Sequence, residues 1–129
     1  MGNKLGHLTI LVKEYDEAIQ FYKNLGMEVL GDNIFGEDLR WVSMAFINQM
    51  DFKIVFQKVK TEKEKQAVGL QAGDHVLLTI ETENCQKEYE RLKGDGVKFL
   101  GEPETVPWGI EVMFEDLYGN LFDLVQIKM

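Results

Sequence analysis

His7-Leu-Thr-Ile-Leu-Val12 is echoed 68 residues later by His75-Val-Leu-Leu-Thr-Ile80. A chain that repeats a β-rich apolar run, led each time by histidine, is bound to a duplicated architecture, and this narrows its possible folds more than any composition does. Each run passes through a polar turn into a helical pattern. In the first copy Ala18, Phe21, Tyr22 and Leu25 stand at i, i+3, i+4 and i+7, one face of a helix. Asp16 is the expected N-cap, its carboxylate accepting the free amide protons of the first turn, and Gly26 suits a left-handed C-terminal cap. In the second copy Cys85, Tyr89 and Leu92 form the stripe, Thr82 or Asn84 caps its start, and Gly94 or Gly96 ends it.

The echo continues past the helices. Gly26-Met-Glu-Val-Leu-Gly-Asp32 matches Gly96-Val-Lys-Phe-Leu-Gly-Glu102, and both read as a strand leaving the helix cap. Two further strands follow in each half, at 41–46 and 52–58, then at 111–115 and 121–127. Gly119-Asn120 marks the hairpin between the last two. The predicted order is β-α-β-β-β twice, an α+β fold in one domain over residues 1–129. Module 1 covers about 1–58, a linker about 59–74 and module 2 about 75–129. The linker holds the charged run Lys60-Thr-Glu-Lys-Glu-Lys65, read as a solvated segment with at most one helical turn.

Composition excludes some partners. A formal net charge of −8 argues against non-specific nucleic-acid binding, which depends on Lys and Arg neutralising phosphates. The run 8–12 is too short for a signal core or a membrane span, so no membrane partner is expected. One cysteine, Cys85, precludes an internal disulfide and fits a cytoplasmic protein.

Four stretches, His7 to Val12, Ala18 to Gly26, His75 to Ile80, and Asp116 to Gln126, resemble the vicinal oxygen chelate superfamily: glyoxalase I, bleomycin-resistance proteins, extradiol dioxygenases and fosfomycin-resistance enzymes. The most specific marks are Phe21-Tyr22-x-x-Leu25-Gly26 and Asp116-x-x-Gly119-Asn120, where Leu117 replaces the usual proline. Arg40-Trp41 and Pro107-Trp108-Gly109 make the chain similar to small bacterial glyoxalase-like members. The resemblance implies two modules curled into a cup, and a homodimer.

It also implies a site. Strand alternation places His7, Thr9 and Leu11 on the cup face, with Leu8, Ile10 and Val12 under the helix; His75, Leu77 and Thr79 are their counterparts. Metal-binding members draw one ligand from the first and one from the last strand of each module, which maps onto His7, His75 and Asp123. The fourth position falls on Lys53 or Ile54, with Val55 reached by a further shift and Gln57 an unusual donor. Two imidazoles and a carboxylate suit a divalent metal, Zn, Ni, Mn or Fe, acting as a Lewis acid on adjacent substrate oxygens, with the metal-bound Asp123 as the candidate base. Against this, Asp123 can face a wet pocket or pair with Lys53. Trp41 and Trp108 are either pocket walls for a flat ligand or core and dimer contacts. Arg40 either grips an anionic ligand or is an exposed strand-edge arginine.

Three functions follow. The first is a metal-dependent glyoxalase-like lyase or isomerase acting on a small molecule with vicinal oxygens. The second is a metal-free small-molecule binding protein of the bleomycin-resistance kind. The third is an extradiol-type dioxygenase.

Overall fold

A computed structural model describes residues 2–37 and 39–128; the expected domain limits at Met1 and Met129 lie outside the described residues. The chain divides into two compact units, Met1–Val68 and Gly69–Met129.

The first unit contains β1 (His7–Val12), α1 (Tyr15–Asn24), β2 (Met27–Ile34), β3 (Arg40–Phe46), β4 (Lys53–Lys58) and α2 (Glu62–Ala67). Its sheet order is β1-β4-β3-β2. Strands β1 and β4 are parallel, with His7 opposite Lys53 and Ile10 opposite Phe56, and the other pairings are antiparallel. Helix α1 buries Tyr15, Ala18 and Tyr22. Tyr22 meets Phe56 with ring centroids 5.3 Å apart, so the helix lies on the face that also buries Ile10, Val42, Met44 and Ile54. Each such fully buried large side chain stabilises the fold by about 2 kcal/mol.

Asp16 does not cap α1. The N-cap is Glu14, without a side-chain cap bond. Asp16, one residue inside the helix, turns instead to Arg40 Nη2 at 3.1 Å. A cap is a local preference, and here an ion pair from another strand outcompetes it. The linker carries more structure than one solvated turn. Thr61 and Glu64 form a reciprocal capping box that starts α2.

The second unit repeats this plan with β5 (Val76–Glu81), α3 (Cys85–Gly94), β6 (Lys98–Phe99), β7 (Glu104–Val106), β8 (Gly109–Glu115) and β9 (Leu121–Ile127). The order β5-β9-β8-β6 matches the first sheet, and β5 is parallel to β9. Asn84 caps α3 by accepting from the Lys87 amide at 3.0 Å, and the Gln126 side chain accepts from the Cys85 amide at 2.9 Å. The core runs from Tyr89 to Phe99, Phe114 and Phe122 through ring contacts of 4.7, 5.4 and 5.3 Å.

Two sequence expectations change here. The strand expected over 96–102 is cut short, and a separate strand, β7, forms where a loop was expected. Leu100 still donates to the Met113 carbonyl, but Pro103 has no amide proton to continue the ladder. Pro107-Trp108 is therefore the two-residue turn of a β7–β8 hairpin. His75 stands one residue before β5, whereas His7 is the first residue of β1. The register shift between Val76 and Leu78 breaks the simple alternation expected for His75, Leu77 and Thr79.

The β8–β9 turn is held by one buried carboxylate. Asp116 Oδ1 accepts from the amides of Tyr118, Gly119 and Asn120 at 2.9, 3.0 and 2.9 Å. Its Oδ2 accepts from Asn120 Nδ2 at 2.9 Å. Proline at position 117 is dispensable because this network sets the turn without it.

Gly109 has φ of 152°, and a Cβ there would sit 2.0 Å from the Gln126 carbonyl oxygen. Gly109→Ala is expected to lower unfolding free energy by about 2 kcal/mol or more. Gly94→Ala, at a helix end with open space around it, should be neutral or stabilising by up to about 1 kcal/mol. Urea denaturation of both variants checks the contrast, and equal effects would contradict the steric account.

Candidate functional site

In each unit the helix covers one face of the sheet, and alternation presents the other residues on the opposite face, where Ser43, Val55 and Val125 are buried. In the first unit β1 shows His7 and Thr9 exposed and Leu11 half-buried, while Ile10 and Val12 are buried. Residues in register on neighbouring strands share a face. Lys53 therefore lies beside His7, and Gln57 beside Leu11. Thr9, Val55 and Ser43 form one row across β1, β4 and β3.

His7 and Trp41 are two strands and about four residues apart in this register, roughly 13 Å along the strand and about 10 Å across. Their rings nevertheless meet edge to face, with centroids 5.5 Å apart. Side chains this far apart on a sheet converge only if it curves, so His7 and Trp41 stand on a concave face. Trp41 stays 43% exposed. Gln57 turns its side-chain amide to the Lys58 carbonyl at 3.2 Å.

Arg40 is committed elsewhere. Its Nε and Nη2 bond both oxygens of Asp32, at 2.9 and 2.8 Å, and Nη2 also reaches Asp16. Its guanidinium lies over the Tyr15 ring at 5.3 Å. The bond from Arg40 holds the Asp32 carboxyl below the usual carboxylate range. An arginine paired this way lacks the open fork that the anionic-ligand expectation requires.

In the second unit Thr79, Asp123 and Met113 form the row matching Thr9, Val55 and Ser43. The matching row thus sets Val55, rather than Lys53 or Ile54, against Asp123. Asp123 is half-buried, and its Oδ1 has no hydrogen-bond partner. Burial, and secondarily the charge of Glu111, raise its pKa above the ordinary carboxylate value. Glu111 lies opposite Val125, diagonal to Asp123, and accepts from Trp108 Nε1 at 2.7 Å. Trp108, 54% exposed, is thereby fixed at the end of this face. Cys85 is buried on the helix side, its thiol 3.6 Å from the Leu124 carbonyl. Burial, then Asp123 and Glu111, push its pKa up, the opposite of what a nucleophile needs. Within either unit, no three His, Cys, Asp or Glu side chains cluster tightly enough to hold a metal among the described residues.

Sequence reading missed Glu111 and Met113 as site positions, and reached Val55 only by a further shift. For the first two a signal was present. Counting back from the Gly119-Asn120 turn pairs Met113 with Asp123 and places Glu111 on the same face.

A raised carboxyl pKa means the folded state is penalised as pH rises from the unfolded carboxylate value through the folded one, and that penalty persists at neutral pH. Asp123→Asn removes it. The variant should be about 1 kcal/mol more stable than the parent near pH 7, with the gain vanishing near pH 3. Urea melts at the two pH values check this, and a loss of stability near pH 7 would show that the carboxylate has a partner.

Residues 4–124 match the family model of the Glyoxalase/Bleomycin resistance protein/Dioxygenase superfamily. An uncharacterized protein of Shewanella frigidimarina (strain NCIMB 400) is 34% identical over 130 residues, covering 99% of this chain and 96% of the relative. The crystal structure of UcmS2 superposes with a TM-score of 0.83 at 33% identity, covering 97% of this chain and 98% of that one. TnmS3, an antibiotic binding protein from Streptomyces sp. CB03234, gives a TM-score of 0.79 at 25% identity, covering 98% of this chain and 97% of that one. No helix among the described residues is long and apolar enough to cross a membrane. With its duplicated βαβββ plan and this match across nearly its whole length, the chain belongs to the Glyoxalase/Bleomycin resistance protein/Dioxygenase superfamily.

Proposed function

We propose that this protein binds and sequesters a flat small molecule without a metal, in the manner that the description of TnmS3 as an antibiotic binding protein suggests. The observation that carries this reading is the row Thr9–Val55–Ser43. Where the second unit has Asp123, the first has a valine, which donates nothing to a cation. Lys53 beside His7 adds a positive charge next to the one imidazole available there. The donor set His7, His75 and Asp123 is thus one ligand short of the family's four. What the open faces offer instead is aromatic surface held in place, Trp41 by His7 and Trp108 by Glu111. Rings held by a neighbour, Trp108 with its indole N–H bonded to Glu111, favour stacking on a planar ligand at small entropic cost.

Metal-dependent lyase or isomerase action through His7, His75 and Asp123 is the second reading. One observation favours it: Asp123 Oδ1 is buried with no hydrogen-bond donor, a situation a cation relieves.

Acridine, a flat neutral heteroaromatic near neutral pH, is a direct probe. Isothermal titration calorimetry is expected to show binding that EDTA treatment leaves unchanged and that Trp108→Ala weakens about tenfold, the scale of a lost aromatic contact. Binding abolished by EDTA and restored by Zn, Ni, Mn or Fe would favour the second reading. No binding with or without metal would remove the flat-ligand reading.

A further inference from the structure

Charge is segregated between the two units in a way neither net charge nor the repeat predicts. Strands β1, β3 and β4 carry His7, Arg40, Lys53 and Lys58 and no acidic residue. Strands β5, β8 and β9 carry Glu81, Glu111, Glu115 and Asp123 and no Lys, Arg or His. These three strands of the first unit thus differ in sign from their counterparts, although its β2 carries Glu28 and Asp32, the latter paired with Arg40.

The acidic side chains share a face. Glu81, Asp123, Glu111 and Glu115 all lie on the row-and-alternate positions that include Thr79 and Met113. Glu115 is offset by Lys98, whose Nζ is 3.6 Å away. Glu111 spends one oxygen on the Trp108 indole. The Asp123 oxygen Oδ1 is out of solvent and accepts no hydrogen bond. An anionic oxygen withdrawn from water without a donor, with a second carboxylate diagonal to it, is unfavourable by itself and is relieved by a cationic N–H donor. Opposite it stands Met113, 37% exposed, and towards the hairpin end of the same strand stands Trp108, 54% exposed and bonded to Glu111. Both are apolar, polarisable surfaces, and the indole ring attracts a cation.

We propose that the open face of the second unit takes an organic cation: a protonated amine or ring nitrogen on a flat apolar body, its N–H donated to Asp123, Glu111 adding long-range attraction, and its plane laid against Trp108 and Met113. This rests on the flat-ligand reading and adds the sign of the ligand's charge to it. A carboxylated or otherwise anionic aromatic ligand is disfavoured at this face.

The test compares two probes of nearly equal shape near neutral pH: 9-aminoacridine, which is protonated there, and acridine, which is neutral. Calorimetric titrations run in EDTA on the parent, Asp123→Asn and Glu111→Gln. The glutamine keeps an acceptor for Trp108 while removing the charge. The parent is expected to bind 9-aminoacridine roughly tenfold tighter than acridine. Asp123→Asn should reduce that preference to near parity, and Glu111→Gln to roughly threefold. An unchanged far-ultraviolet circular dichroism spectrum in both variants serves as the measure of an intact fold. Equal affinity for the two probes in the parent, or a preference that survives Asp123→Asn, overturns the proposal and leaves the flat-ligand reading standing. Absence of binding by both probes overturns the two together.

Discussion

Tyr22 packed on Phe56, and its counterpart chain Tyr89–Phe99–Phe114–Phe122, are the contacts on which the rest of each unit depends. A helix laid on a four-stranded path settles which face of the sheet is dry. Because side chains alternate, settling one face settles the other. A slip of one residue in β4 would drive Phe56 outward and bring Val55 under the helix. The burial of a few aromatic rings therefore fixes the display of His7, Thr9 and Trp41 on one unit and of Thr79, Glu111 and Asp123 on the other.

Given that frame, the two units differ in chemistry and not in topology. The row that holds Asp123 in one holds Val55 in the other, and the strands around them have diverged to opposite charge. A symmetrical metal site asks for matching donors from both repeats. With Val55 in its row, Lys53 beside His7 and Arg40 bonded to Asp32 and Asp16, the first unit presents different donors from the second. The second unit keeps its carboxylate but leaves one of its oxygens without a donor. Trp41 and Trp108 each meet a polar neighbour from their own unit.

Turn chemistry shows the same economy. The Asp116 carboxylate gathers three amides and one side-chain donor, so the β8–β9 hairpin holds its register without the proline that resembling sequences carry. That register is what sets Met113 against Asp123, and hence Glu111 near it.

The helices, most strands of each half, the turn at Asn120 and the positive-φ glycine after each helix, Gly26 and Gly96, were legible in the sequence, because periodicity and turn residues are local and were printed twice. Asp16 was misread as a cap, and the strand after Gly96 was drawn too long, because a distant arginine and a missing proline amide proton decided those points. The sequence by itself determined a twice-repeated βαβββ plan and the candidate side chains His7, His75, Trp41, Trp108 and Asp123. Only the tertiary structure decided that Val55 holds the place in its own sheet that Asp123 holds in the other, that Arg40 is already paired, that Glu111 holds Trp108, and that Asp123 keeps an oxygen without a donor. The physical reason is that register and ion pairing join residues far apart in the chain, and no local pattern records which of the sterically allowed partners is met.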